Sequence, residues 1–404
     1  MKEAANLQPA PETEPSQSNY RWVMLGLVWL AYCAFGLVSR SLAPLVTPVV
    51  EDLSISYSQM GIIMGSWPIT YIPVSLVGGI ILDRWGIRKS LFLGIFIIGL
   101  SAGLRYFASG FGTMFLFVAM FGLGGPMISV GAPKTISTWF AGRSRGTAVG
   151  IYMTAPWIGG LLALSLTNSV FMPLTGESWQ LTMVIYGGIA ILVALLLVTL
   201  ARDVPATQTA RTAGIVEVFK TLGRIPNVRL ILLMGFLHFV VTHGFNNWLP
   251  KLLETGGLSP DIAGFAASIP TFVGIPVVLT LPRLLPPHLR GRAISAGSLA
   301  LGIALVIVSL ASGGALIAGL LLLGTCFAYI MPMLMLTLMD TSEVDTRYMG
   351  AAGGMFFCVA EIGGFVGPLL VGTLADMTGD FFWGMSFIAA LSAGISLLAL
   401  RLRS

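Results

Sequence analysis

Twelve apolar runs dominate this 404-residue chain and leave little room for a soluble fold. They fall at roughly 21–45, 57–82, 89–108, 111–139, 146–171, 179–201, 228–250, 259–284, 293–312, 314–339, 350–374 and 382–401. A helix needs about 20 apolar residues to cross roughly 30 Å of hydrocarbon, and each run approaches or exceeds that length. Charged residues make up only 10% of the chain, against about 25% in a soluble domain. Membrane-spanning strands would need segments of about ten residues with strict alternation. These runs are longer and do not alternate. The predicted fold class is an all-α polytopic membrane protein with twelve transmembrane helices.

The basic residues set the expected orientation. Eighteen of 22 lie in the tails and the even-numbered connections, leaving Arg40, Arg105, Lys134 and Lys251 elsewhere. The positive-inside rule then puts both termini in the cytoplasm, as expected of a multi-pass plasma membrane protein, bacterial inner membrane included. Residues 1–20 are rich in Pro, Glu, Gln and Ser and read as a disordered cytoplasmic tail. No signal-peptide core precedes the first run, so it is expected to remain as a helix. The basic balance is absorbed by topology and calls for no nucleic acid. Cys33, Cys326 and Cys358 sit in apolar runs, as buried small residues rather than a disulfide or metal framework. The sequence has no phosphate-binding loop, metal-ligand cluster or nucleophile triad. Neither an enzyme nor a cofactor or metal is expected.

The two halves repeat each other. "RSRGTAVGIYMTAPWIGG" (143–160) aligns with "RYMGAAGGMFFCVAEIGG" (347–364) at an offset of 204, pairing Gly146 with Gly350 and Gly150 with Gly354. Gly61 and Pro73 likewise match Gly264 and Pro276 at an offset of 203. The expected organisation is a six-helix bundle over 21–201, a cytoplasmic loop over 202–227 and a second six-helix bundle over 228–404. Within the loop, "IVEVFKTLGRI" reads as a short amphipathic helix on the inner surface. The glycines of the fifth and eleventh runs predict close helix packing.

Between the second and third runs lies "GGIILDRWGIRKSLFLG", a tight turn in which Gly86 permits the bend, Asp83 can meet a cation or a helix N-terminus, and Arg84, Arg88 and Lys89 hold the inner headgroups. This spacing resembles the G-x-x-x-D-R-x-G-x-R-[RK] signature of the major facilitator superfamily. With twelve helices and a six-plus-six repeat, the resemblance covers nearly the whole chain. It implies two pseudo-symmetric six-helix bundles that rock around a central site. In that reading Asp83, with Arg145 as its partner, stabilises the state closed to the cytoplasm.

Charges inside the runs are functional candidates, because a charge at mid-bilayer costs about 2.5–3.5 kcal/mol on insertion scales. The alternative for a long basic side chain is snorkelling to the interface. "SRSLAPLVTPVVEDLSIS" and "PKTISTWFAGRSRGTAVG" resemble helices 1 and 4 of the anion:cation symporter family, although Ala141, Ser144 and Ser39 depart from its pattern. "GLRYFASGF" and "NNWLPKLLETGGLS" are similar to the cyanate and nitroimidazole permease branch. The resemblance implies that Arg40 and Lys134 contact a substrate carboxylate. Counting residues from the run boundaries puts Arg40 toward the outer side and Lys134 toward the inner. Arg105, ending the third run, reads as interfacial.

His243, Asn246 and Asn247 share a helix face. They either form the wall opposite Arg40 or hydrogen-bond between helices, and His243 is a candidate proton carrier. Glu361, the one carboxylate well inside an apolar run, either pairs with a cation of the other half or takes up a coupled proton. Tyr71 and Tyr152, with Trp157 and Tyr329, are wall or packing residues. The expectation is a monomeric, proton-coupled secondary transporter of a small anion, an organic carboxylate above all. The alternatives are an exporter or antiporter of drugs or cations, and a non-transporting sensor of the same fold.

Overall fold

The computed structural model describes residues 19–203, 220–341, 344 and 349–402. Most of the tail expected over 1–20 lies outside these, as do residues 215–219 of the expected amphipathic segment and Arg347. The described residues contain twelve helices long and apolar enough to cross a membrane. The first six are α1 (Tyr20–Leu53), α2 (Tyr57–Gly78), α3 (Ile80–Phe107), α4 (Phe111–Trp139), α5 (Ser144–Leu174) and α6 (Trp179–Leu200). The second six are α7 (Pro226–Thr255), α8 (Pro260–Leu284), α9 (Pro287–Leu310), α10 (Gly313–Met339), α11 (Ala351–Thr378) and α12 (Phe381–Ala399).

Each set of six packs as a bundle, and the bundles meet where α2 lies on α11 and α5 lies on α8. The internal repeat equates α2 with α8 and α5 with α11, so the two seams are copies of one contact. Small residues bring the backbones together. A Cβ at Gly65 would sit 2.7 Å from the Phe365 carbonyl oxygen across the α2–α11 seam. Within the bundles, Gly159 is closed in by the backbone of Cys33 on α1, and Gly363 by that of Phe236 on α7. The packing expectation holds there. It does not hold for Gly146, Gly150 and Gly354, where an added Cβ would meet nothing within 4 Å.

Several helices are interrupted along their length. α1 is helical over Tyr20–Arg40, passes through a 3-10 turn at Ala43–Leu45 and resumes at Val46–Leu53. Pro44, which has no N–H to continue the ladder, stands at the break. α2 stops at Gly65 and restarts at Trp67, ahead of Pro68. α5 holds a π-helical turn at Thr167–Phe171. Freed backbone groups are tolerated at membrane depth only where protein or a cavity surrounds them. The turn between the second and third runs is made at Gly86, whose φ of 81° lies in the left-handed region. Asp203 sits against it, accepting a hydrogen bond from the Arg88 N–H at 2.9 Å.

The two ends of the bundle differ. At the end bearing the α1–α2 and α11–α12 turns, polar contacts join the halves. Asp376 accepts from the N–H groups of Tyr57 (2.9 Å) and Ser58 (2.7 Å) at the start of α2. Thr47 donates to Glu254 at 2.7 Å and accepts from Lys251 at 2.8 Å. The Asn168 amide donates to the carbonyls of Pro44 and Pro260. At the opposite end, which carries Gly86, the described ion pairs Asp83–Lys134 and Arg290–Asp340 each stay within one half.

Asp376 is exposed, and a carboxylate at an exposed helix N-terminus contributes about 0.3–1 kcal/mol. Asp376→Asn is therefore expected to raise the population open at this end by about two- to fivefold. Spin labels at Glu51 and Met377 would register it as growth of the longer-distance population.

Candidate functional site

A cavity of about 220 Å³ lies between the halves. Its lining comes from α1 (Phe35, Gly36, Ser39, Arg40), α2 (Trp67), α5 (Pro156, Trp157, Gly160), α7 (His243, Asn247), α8 (Thr271) and α10 (Phe327). Both halves thus build one site.

Arg40 is the last residue of the first helical segment of α1. The break places a cation at a helix C-terminus, where the backbone dipole favours it. The span continues to Leu53, so Arg40 lies well inside α1 rather than toward its outer end, as counting to residue 45 suggests. Gly160 makes room for its stem, since a Cβ there would come within 3.1 Å of Arg40 Cγ. Arg40 has no ion pair among the described residues, whose three pairs are Asp83–Lys134, Lys251–Glu254 and Arg290–Asp340.

The walls are aromatic pairs with one ring from each half. Trp67 stacks on His243 with centroids 5.9 Å apart and planes at 29°, and Phe239 backs the same imidazole at 5.3 Å. Trp157 stacks on Phe327 at 5.4 Å and 23°. Asn247 donates to the His243 carbonyl at 2.8 Å. Behind the imidazole lies Glu361, 6% exposed, whose Oε2 has no hydrogen-bond partner among the described residues. A Cβ built on Gly364 would fall 2.8 Å from that oxygen and 3.0 Å from His243 Nδ1, so this glycine keeps the two groups adjacent.

The sequence-predicted residues divide accordingly. Arg40, His243 and Asn247 come together around the cavity, with Glu361 one layer behind. Asn246 is buried outside the lining, despite sharing a helix face with His243. Tyr71 stands edge-on behind Trp67 and bonds Ser129 at 2.8 Å. Tyr152 stacks on Tyr32 rather than facing the cavity.

Lys134 is not in the cavity. α4 runs unbroken through Pro133 to Trp139, so Lys134 stays near the helix end and pairs with Asp83. Arg145 is not the Asp83 partner seen here. It donates to the Phe140 (3.0 Å) and Ser137 (2.8 Å) carbonyls, capping the end of α4. Arg88 also donates from its side chain to the Val198 carbonyl, while Arg84 and Lys89 are exposed. Arg105 does not reach outward as an exposed anchor: it is 1% exposed and donates to Ser41 Oγ at 3.0 Å. Trp67, Phe327 and Phe35 are lining residues with no charge signal in the sequence, and Thr271 is a lining residue that the sequence reading did not single out. Asp203 and Asp376 are helix caps whose partners are distant in the chain.

Two pseudo-symmetric six-helix bundles around a shared polar cavity define a class of membrane carriers. The chain matches the Major Facilitator Superfamily over residues 28–368 and belongs to it. Among its relatives is a hexuronate transporter of Bacillus subtilis (strain 168), 24% identical over 387 residues and 90% of each chain. A probable galactarate/D-glucarate transporter of the same organism is 23% identical over 446 residues, covering 96% of this chain and 92% of its own. The solved nucleoside transporter NupG shares the fold with a TM-score of 0.81 at 16% identity, over 96% of this chain and all of its own.

Proposed function

We propose that this protein carries a small organic anion bearing a carboxylate across the membrane by alternating access. The observation that carries this reading is Arg40: a guanidinium without a counter-ion among the described residues, beside a helix break, lining a cavity built by both halves. Arginine stays charged at any physiological pH, and its fork matches a carboxylate. An anion supplies the missing partner. Trp67, Trp157 and Phe327 would sandwich the carbon skeleton, while Asn247 and Thr271 offer hydrogen bonds to hydroxyls. Relatives named for hexuronate and galactarate or glucarate support a substrate of this class.

In this reading the termini are cytoplasmic and the Asp376 seam closes the outer face. The unpacked glycines Gly146, Gly150 and Gly354 then lie at the inner ends of α5 and α11, ready for helix contact when the inner face closes. Asp83 and Lys134, with Arg84, Gly86, Arg88, Lys89 and Arg145 around them, belong to that inner gate. Protons are the proposed coupling ion, taken up at Glu361 with His243 between it and the cavity. The protein acts as a monomer.

The test is uptake into proteoliposomes under an imposed pH gradient, with hexuronates, aldarates and simple monocarboxylates set against their amides and organic cations. Saturable uptake of carboxylates alone supports the reading. Uptake of only cations or neutral compounds contradicts it.

A further inference from the structure

Beside the cavity a second, much smaller space of about 10 Å³ shares Ser39, Trp67 and Asn247 with it and is also lined by Arg105. Ten cubic ångströms is about one probe sphere, room for a single water-sized group. Arg105 is 1% exposed. Its contacts are Ser41 Oγ at 3.0 Å, Ser101 Oγ at 3.5 Å and Met183 Sδ at 3.7 Å, none of them anionic. Its Nε has no hydrogen-bond partner among the described residues. No carboxylate among the described residues pairs with it.

A buried charge normally carries a partner, because its desolvation costs several kcal/mol. Two hydroxyls and a thioether satisfy part of a five-donor guanidinium and neutralise none of its charge. Two guanidinium groups without an ion pair among the described residues therefore meet at the start of the α1 break, Arg40 directly before it and Arg105 through Ser41, its first residue.

We propose that Arg105 is the second cation of the anion site, and that the site is matched to an anion with two acidic groups, one for each guanidinium. This rests on the anion reading of the cavity and narrows it. Arg40 meets the acidic group in the open cavity. The small space beside Asn247 is the path by which the second group reaches Arg105, widening as the outer seam parts.

D-Glucuronate and D-glucarate are suitable probes, since they share a six-carbon skeleton and differ by one carboxylate. Competition for uptake in proteoliposomes gives their apparent affinities. Wild type is expected to favour D-glucarate by about tenfold or more, the size of one added charge-assisted contact. Arg105→Gln should reduce that preference to about twofold or less while shifting D-glucuronate by less than about threefold. Ser41→Ala, a milder change that removes a hydrogen bond aiming the guanidinium, should cut the preference by about threefold. It keeps the test decisive if Arg105→Gln fails to fold. A wild type without preference for the diacid overturns the inference, as does equal loss of both acids in the variants or an unchanged preference in Ser41→Ala. Uptake of D-glucuronate alone leaves the anion reading standing and removes the two-charge match. Failure of every carboxylate in the uptake panel removes both.

Discussion

Arg40→Ala is expected to lose carboxylate uptake by about 100-fold or more, because truncating one partner of a buried charge pair costs about 2–5 kcal/mol. The variant should still insert and fold. Arg40 has no ion pair within the described chain to leave broken, and its removal takes an uncompensated cation out of a membrane-spanning helix. Arg40→Lys should recover part of the activity, since an ammonium keeps the charge but not the planar fork that grips both carboxylate oxygens. A purely structural arginine would behave differently: both variants would reduce the amount of folded protein, and the folded remainder would transport normally. Initial rates normalised to folded protein separate the two cases.

Glu361→Gln is expected to abolish uphill accumulation while leaving exchange intact. The carboxyl sits behind His243, across Gly364, with an unpartnered oxygen. In the proposed coupling, Glu361 takes up a proton with the substrate and releases it on the other face. Glutamine copies the neutral form and cannot release it. Wild type driven by one pH unit should concentrate the acid about tenfold at one proton per anion. Glu361→Gln should show no concentration, yet counterflow between labelled and unlabelled substrate should stay within about threefold of wild type. Unimpaired accumulation by the variant would exclude Glu361 as the coupling group. Loss of counterflow as well would make it a structural partner of the His243 layer.

Much of the architecture was legible because the bilayer imposes it. Span lengths, the absence of alternation, the six-plus-six repeat and the Gly86 turn all follow from solvent and backbone constraints that act locally. The site was legible only where a residue's chemistry is out of place in an apolar run. Arg40, His243 and Glu361 stand out that way, and all three lie in or directly behind the cavity.

Depth was harder to read. The α1 span runs past Pro44 to Leu53, because a proline at membrane depth can mark a break rather than an end. That moves Arg40 inward. Pro133 does not break α4, and Lys134 stays with Asp83. Arg105 reads as interfacial by position, but its long side chain turns into the bundle toward Ser41, a partner 64 residues away. Trp67 and Phe327 were not visible at all. An aromatic ring in an apolar run gives the same signal whether it faces lipid, a neighbouring helix or a cavity.

If the cavity between the halves holds a carboxylate against Arg40, binding itself should report it without the transport cycle. Calorimetric titration of the purified protein with the acid that gives the fastest uptake makes that measurement. Wild type should bind saturably at one site, Arg40→Ala about 100-fold more weakly, and neither protein should bind the corresponding amide. Equal affinity of wild type and Arg40→Ala for the acid would contradict a carboxylate held by Arg40.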